Sequence, residues 1–392
     1  MNNKLRIAII GAGMYTTGRG TDGYGTIIPA LIEWERENQC IEVINIVGTN
    51  VDRLNQSMKK IKSIYKKTGI NIKTFGYPTN DNKDADYYKN IINESKNLSC
   101  VIIAVPDHLH EKIAGDCLKK GIHTLVVKPL TLTLNGAKYL INLQKKYNAY
   151  GLTEFHKRYD RHNLKIKEAI QNDEIGSPLY FIVEYSQRKI IPTKLFSRWV
   201  DNTNVFQYLG VHYADLIYFL TNAKPVRLQT KGQYGWLKEN GINTYDSIHV
   251  TIEWEMNNNK RFLSFIHTNW IDPNNTSAMS DQRIKVIGTK GRIESNQKNR
   301  GLQKVTDDQN LEEINPDFCN TYTNPNGEVI YKGYGIDSIK TFLDDIYKIT
   351  TEKCDINFFE NKRPTFSDSL VSTSIIEAVN KGLKAQNSWI DI

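Results

Sequence analysis

Three short groupings in this chain pair residues that handle charge or protons with a setting that could aim them. The first is Lys128-Pro129, which follows an apolar run at 122–127. A lysine there stands at the carboxyl end of a buried strand, the edge at which open α/β sheets bind ligands. The competing reading is a solvated lysine at a strand end. The second grouping is His212 and Asp215. On a helix, positions i and i+3 share a face. An imidazole that can take a proton from a hydroxyl then has a carboxylate in reach to orient it. A buried histidine satisfied by backbone would look the same. Tyr208, four residues earlier, either offers its hydroxyl to a ligand or packs in the core. The third grouping is Gly11-Ala12-Gly13 with Met14, directly after an apolar run at 5–10. Small residues at a strand–helix junction let backbone N–H groups approach a pyrophosphate. A tight turn with no ligand uses the same residues.

The elements that must position these groups follow from periodicity. Residues 101–105 form a solid apolar run stopped by Pro106, and Ile113, Ala114, Cys117 and Leu118 then mark one buried helical face. Gly121 ends that helix, and the second apolar run leads to Lys128. Strand, helix and strand in so short a span make a right-handed parallel crossover. The same alternation fills the start of the chain. It predicts strands at 5–10, 41–47, 72–75 and 149–155, and helices at 27–37, 51–67, 80–95 and 134–147. The pattern is that of a doubly wound sheet over residues 1–150.

Beyond 150 the pattern changes. A helix at 163–172 precedes alternating runs at 179–187, 227–234, 247–255, 262–270 and 282–287, each reading as a strand with one wet face. A helix at 206–220 carries His212 and Asp215. Residues 296–326 are polar and unpatterned and read as loop, and helices at 335–349 and 367–384 close the chain. The expectation is a second α/β domain over 151–392 with a largely antiparallel open sheet, the last helices packing back on the first domain.

The glycine loop departs from the GxGxxG spacing, because Thr16 stands where the third glycine belongs. Residues 15–25 read as an insertion, with Gly23 or Gly25 taking the missing role. At the end of the second strand, Thr49 and Asn50 are neutral, where many NAD-binding sheets place a carboxylate on the ribose 2′-hydroxyl. A 2′-phosphate is then not repelled, and Arg53 either pairs with it or lies solvated on its helix. This tilts the choice between NAD and NADP toward NADP.

Bulk properties bound the rest. At 392 residues the chain is too long for one core. Its hydrophobic share of 40% and charged share of 24% are ordinary for a globular protein. No apolar run reaches membrane-spanning length, and no signal-peptide pattern precedes the first strand. The five cysteines are odd in number and lack CxxC spacing, which argues against a disulfide scaffold or a metal site and for a reducing cytoplasm. The net charge of +8 is spread among acidic residues without a recognition motif, so neither nucleic acid nor membrane is an expected partner.

Taken in order, GAG at 11–13, VPDHLH at 105–110, GIHTL at 121–125, VKPL at 127–130, FHKRYD at 155–160, GVHYAD at 210–215 and GTKGRIE at 288–294 resemble the Gfo/Idh/MocA oxidoreductases, which include glucose–fructose oxidoreductase and inositol dehydrogenase. The resemblance implies a Rossmann domain followed by an α/β domain whose open sheet often serves in homo-oligomers, dimers or tetramers. It implies NAD or NADP and a sugar, sugar derivative or nucleotide sugar between whose hydroxyl or keto carbon and the nicotinamide hydride passes. Redox-neutral sugar chemistry with a held nucleotide and non-catalytic sensing of NAD(P) are the alternatives. By the resemblance, Lys128 lies beside nicotinamide and substrate oxygen, with Val127 in place of the family's glutamate, and Pro106 and His110 line the cofactor. His212, Tyr208 and Asp215 move the proton. His156 and Arg158 contact substrate, unless Arg158 pairs with Asp160, and Trp199, with Arg188, Lys189 and Arg198, lines the substrate side.

Overall fold

The computed structural model describes residues 4–80, 84–94, 97–385 and 388–392. The chain divides into two compact units. Met1–Thr131, Asn135–Tyr159 and Asp317–Ser369 form the first, and Leu132–Leu134, Asp160–Pro316 and Leu370–Ile392 the second. Of the two closing helices, Tyr334–Thr351 lies in the first unit and nearly all of Ser369–Gly382 in the second.

The first unit is built on six parallel strands: β1 Leu5–Ile10, β2 Ile41–Val47, β3 Thr74–Tyr77, β4 Cys100–Ile103, β5 His123–Val127 and β6 Gly151–Glu154, in the order β3-β2-β1-β4-β5-β6. β1, β2 and β4 are covered on both faces, which is why they read as unbroken apolar runs. The strand order reverses between β1 and β4, and ligands bind outside the carboxyl ends of strands at such a switch point. Gly11 sits there with φ 111°, and a β-carbon on it would lie 2.1 Å from the Ala104 carbonyl oxygen.

Helices Ile27–Asn38 and Tyr334–Thr351 pack together in this unit. The Trp34 indole, fully buried, donates to Asp344 at 2.7 Å and its ring meets Tyr347 with centroids 6.1 Å apart. The neighbouring Asp345 accepts from the Tyr150 hydroxyl at 2.9 Å and from Arg363 at 2.9 and 3.1 Å. The Thr153 N–H donates to the Pro364 carbonyl at 2.9 Å, so the 364–365 segment covers the open edge of β6.

The main sheet of the second unit has seven strands: β7 Pro178–Arg188, β8 Lys224–Gln233, β9 Ser247–Glu255, β10 Arg261–Asp272, β11 Ser280–Gly288, β12 Arg292–Asn296 and the final β17 Ile390–Asp391, in the order β12-β11-β7-β10-β9-β8-β17. Every pair is antiparallel except β7 with β10. Burial alternates along β9 and β10, as a sheet with one covered face requires.

Three readings of the sequence are corrected. Residues 296–326 are not loop throughout: β13 Gln303–Thr306 pairs with β14 Gln309–Glu313, and β15 Asn320–Thr323 with β16 Val329–Lys332. Their strands are four or five residues long, 303–306 are all exposed and Tyr331 alone of 329–332 is buried, so the hydrophobic alternation that marks a strand is too short to read. The helix expected at 80–95 is Tyr88–Glu94, with 81–83 and 95 outside the described residues. The helix expected at 206–220 opens with a π turn, Phe206–Gly210, before Val211–Thr221. Because Trp34 joins the two packed helices, Trp34→Ala should destabilise the chain by about 3–5 kcal/mol. The check is the midpoint of urea unfolding followed by far-ultraviolet circular dichroism.

Candidate active site

The phosphate-loop region begins where β1 ends. Gly11 to Gly13 lead into a one-turn helix, Met14–Thr17, closed by Gly18 at φ 70°. Thr16, in the third-glycine position, is fully buried and its hydroxyl donates back to the Gly11 carbonyl at 2.6 Å. A third glycine usually permits close helix–sheet packing. Here the helix stops after one turn and the long helix starts only at Ile27, so that demand is absent. The excursion between them is tied by one cation: the Lys60 ammonium donates to the carbonyls of Gly18, Thr21 and Gly23 at 2.7, 2.5 and 2.9 Å. Gly25, not Gly23, provides close approach, since a β-carbon on it would lie 2.7 Å from the Thr17 nitrogen. It brings the returning chain against the one-turn helix and leaves the loop itself to Gly11 and Gly13. Nothing lies within 4 Å of where a β-carbon on Gly13 would point. That open space beside side-chain-free backbone fits a pyrophosphate.

At the end of β2, the Asn50 side chain accepts from the Arg53 backbone N–H at 3.0 Å and caps the helix Val51–Thr68, while Thr49 is exposed. No carboxylate stands at positions 49 and 50, and the helix behind is held to the glycine loop by the Ser57 hydroxyl on the Ala12 carbonyl at 2.6 Å.

Lys128 follows β5 at the same carboxyl edge and is 7% exposed. Burial pulls its pKa down to about 7, against the charges of Asp107 and Glu154, which hold it up. Asp107 is buried in the turn after β4, next to Pro106. His110 is buried as well. Its Nδ1 lies 2.6 Å from the Pro129 carbonyl and its Nε2 3.0 Å from that of Val105. Both ring nitrogens thus meet backbone, and the ring fastens the loop after β4 to the segment carrying the lysine. Burial pushes its pKa down.

Glu154 was not singled out by the sequence, yet it is a second buried carboxylate at this end of the sheet. It pairs in register with Val127 and is 1% exposed. The Ser338 hydroxyl donates to it at 2.7 Å, and His156 Nδ1 lies 3.2 Å from both its oxygens. Burial pushes its pKa up, but the His156 charge and the hydrogen bonds from His156, Ser338 and Tyr15 outweigh this and hold it below the ordinary value. His156 is packed among Tyr15, Phe318 and Tyr334, with centroids 6.5, 5.1 and 5.7 Å away. Arg158 is buried. It meets Asp368 at 2.6 Å, while Asp160 receives Arg300 and caps the helix Arg161–Gln171 through the His162 N–H at 3.0 Å.

In the second unit, His212 and Asp215 are 4% and 1% exposed on Val211–Thr221. The His212 ring stands 6.3 Å from that of Tyr185. Tyr208 lies in the π turn, a feature that recurs at functional sites. It joins Phe196, Trp199 and Trp270 in an aromatic cluster, at 4.7, 6.4 and 6.0 Å between centroids. Arg188 is engaged by Thr276 and Ala278, Lys189 lies 4.2 Å over the Trp236 ring, and Arg198 is exposed.

Residues 5–155 match the family described as oxidoreductases with an NAD-binding Rossmann fold, and residues 163–294 match the GFO/IDH/MocA C-terminal domain. Over 218 residues the chain is 27% identical to the myo-inositol 2-dehydrogenase of Thermotoga maritima, covering 55% of this chain and 62% of that one, less than two thirds of its length. Over 252 residues it is 24% identical to the glucose-6-phosphate 3-dehydrogenase of Bacillus subtilis, covering 61% and 67%. The structure of the scyllo-inositol dehydrogenase from Lactobacillus casei with bound NAD(H) and scyllo-inositol superposes with a TM-score of 0.66 over 99% of both chains at 13% identity, a likeness of fold.

The two glycines of the loop make separable predictions. Gly13→Val fills open space from an extended backbone, so the melting temperature should hold while the Kd for NAD(H) rises at least ~10-fold, about 1.4 kcal/mol of lost contact. Gly11→Ala should destabilise the fold itself. Calorimetric melting beside fluorescence titration of NADH separates the two.

Proposed function

The chain belongs to the GFO/IDH/MocA oxidoreductase family, and on that premise we propose that it is an NAD(P)-dependent dehydrogenase or reductase of a sugar, sugar derivative or nucleotide sugar. The observation that carries the reading is Lys128: a buried amine at the carboxyl edge of the sheet whose glycine loop fits a pyrophosphate, with a pKa of about 7. Gly11, Gly13 and Met14 hold the pyrophosphate side of the dinucleotide, and Thr49, Asn50 and Arg53 its ribose. The neutral strand end and Arg53 favour NADP over NAD. When bound, the dinucleotide supplies the hydride acceptor or donor.

Lys128 holds the reacting oxygen. As an ammonium it donates to a carbonyl oxygen or a developing alkoxide and stabilises negative charge there. Within a low-dielectric surrounding that interaction is stronger than in water. His212 accepts the hydroxyl proton in oxidation and returns one in reduction, with Asp215 orienting its ring and Tyr208 donating to the same oxygen or to the substrate beside it. Trp199 offers an aromatic surface for an apolar sugar face. His156 sits inside the Glu154 network and contacts substrate from a fixed ring.

A homodimer or homotetramer and a cytoplasmic location complete the reading. The five cysteines are unbridged, and among the described residues no helix is long and apolar enough to cross a membrane.

Lys128→Met should leave the Kd for NAD(P)H within about threefold while turnover falls at least ~100-fold, the scale of a positioned acid–base group. The sign of the pH effect follows from the lysine. In the reduction direction kcat/KM should fall as pH rises through about 7, where Lys128 loses its ammonium. In Lys128→Arg, whose guanidinium stays charged, that limb should vanish even if the rate is low. A screen of sugars, sugar acids and nucleotide sugars at 340 nm with both dinucleotides supplies the substrate. Near-normal turnover in Lys128→Met would sink the assignment.

A further inference from the structure

The motif around Lys128 carries valine at 127, and no carboxylate precedes the lysine on its own strand. The structure brings one from the neighbouring strand. Val127 and Glu154 are partners in the β5–β6 register, so Glu154 ends β6 beside the residue that leads into Lys128. Both side chains are buried, at 7% exposure for the lysine and 1% for the glutamate. A buried carboxylate is costly unless it is paired and hydrogen-bonded, and this one is surrounded. Ser338, from the helix Tyr334–Thr351, donates at 2.7 Å. His156 Nδ1 stands 3.2 Å from each oxygen and 3.4 Å from the Tyr15 hydroxyl. Tyr15 is the second residue of the one-turn helix that follows the glycine loop. Four separate segments of one compact unit therefore meet at this single anion.

We infer that Glu154 is a positioning residue for the lysine: it supplies, from the adjacent strand, the negative charge that keeps Lys128 available as an ammonium, and it anchors the glycine-loop helix through Tyr15. The inference rests on the proposed role of Lys128 but is measured apart from it. The groups that act on the charge of Lys128 include Asp107, in the turn after β4, Glu154, and His110, whose own proton affinity Lys128 depresses. Those facing Glu154 are His156, Ser338 and Tyr15, and Cys319 lies near Tyr15. Asp107 precedes the lysine's strand in the chain and is untouched by changes at 154. Removing the Glu154 charge takes away an influence that opposes burial, so the lysine must become a weaker base.

The test is the titration of the Lys128 amine itself, read by NMR on protein carrying lysine labelled with carbon-13 at Cε and assigned by the signal lost in Lys128→Met. In folded Glu154→Gln the midpoint should drop by about one unit, the low end of what a nearby opposite charge does. Ser338→Ala, which removes a hydrogen bond to the same carboxylate but keeps its charge, should leave the midpoint in place. An unmoved midpoint in Glu154→Gln overturns the inference. So does an equal shift in both variants, which marks packing and not charge. Should Glu154→Gln fail to fold, the wild-type chain answers: with glutamate labelled at Cδ, the Glu154 signal must show an inflection at the Lys128 midpoint, and a flat response there overturns the pairing. If Lys128→Met keeps its turnover, the functional reading fails while this titration still decides the inference.

Discussion

A lysine amine held almost out of water at the end of a strand is the constraint on which the first unit turns. Its charged form loses hydration that nearby anions and hydrogen-bond acceptors must replace. The balance places the Lys128 pKa at about 7, with burial on one side and Asp107 and Glu154 on the other. Neither carboxylate is adjacent to it in sequence. Asp107 arrives on the loop after β4, and His110 fixes that loop to the lysine's segment through the carbonyls of Val105 and Pro129. Glu154 arrives on β6 and needs its own support from Ser338, in a helix nearly two hundred residues later. The inclusion of 317–369 in the first unit is therefore part of the chemistry of its edge and not only of its core.

The glycine loop shows a second dependence of local chemistry on distant chain. A third glycine lets a long helix start directly after the loop and lie close on the sheet. This chain inserts a full excursion instead and must satisfy the carbonyls it exposes. Lys60, from the helix after β2, receives three of them with one ammonium. The cost of a bulkier Thr16 is offset because its hydroxyl closes the turn on Gly11. The part of the motif that approaches a ligand, Gly11 to Gly13, is preserved, and the part that packs a helix is replaced.

Much of this was legible in the sequence, and what was not has a physical reason. Strands buried on both faces announce themselves as apolar runs, so β2 was found to the residue and the crossover to Lys128 nearly so. The lysine was legible for the same reason, being polar where an apolar run ends. Glu154 was not, although it ends such a run too, because its importance lies in a parallel register with Val127 that no local pattern encodes. That Arg158 meets Asp368 was not legible for a related reason. Asp160, two residues away, is in plain view and caps a helix, but Asp368, which the arginine meets, lies 210 residues further along the chain. The hairpins at 303–332 escaped because their strands are short and held by backbone hydrogen bonds, with little apolar alternation to report them.

The second unit presents the same physics in another setting. Val211–Thr221 is buried on nearly every side: Val211, Tyr213, Ala214, Leu216 and Ile217 are all inaccessible. Packing alone would be satisfied by apolar residues at every one of its positions, and burying ionisable groups there works against stability. His212 and Asp215 are nonetheless placed one turn apart within it. A helix that needed only to cover a sheet does not require that pair. A helix that must present a proton-exchanging ring in a fixed orientation does, because a rotamer locked by surrounding side chains aims the imidazole better than a solvated one. Both units thus bury ionisable groups at places where an apolar residue would stabilise more, and in both the departure falls on the residues whose chemistry the proposed hydride and proton exchange requires.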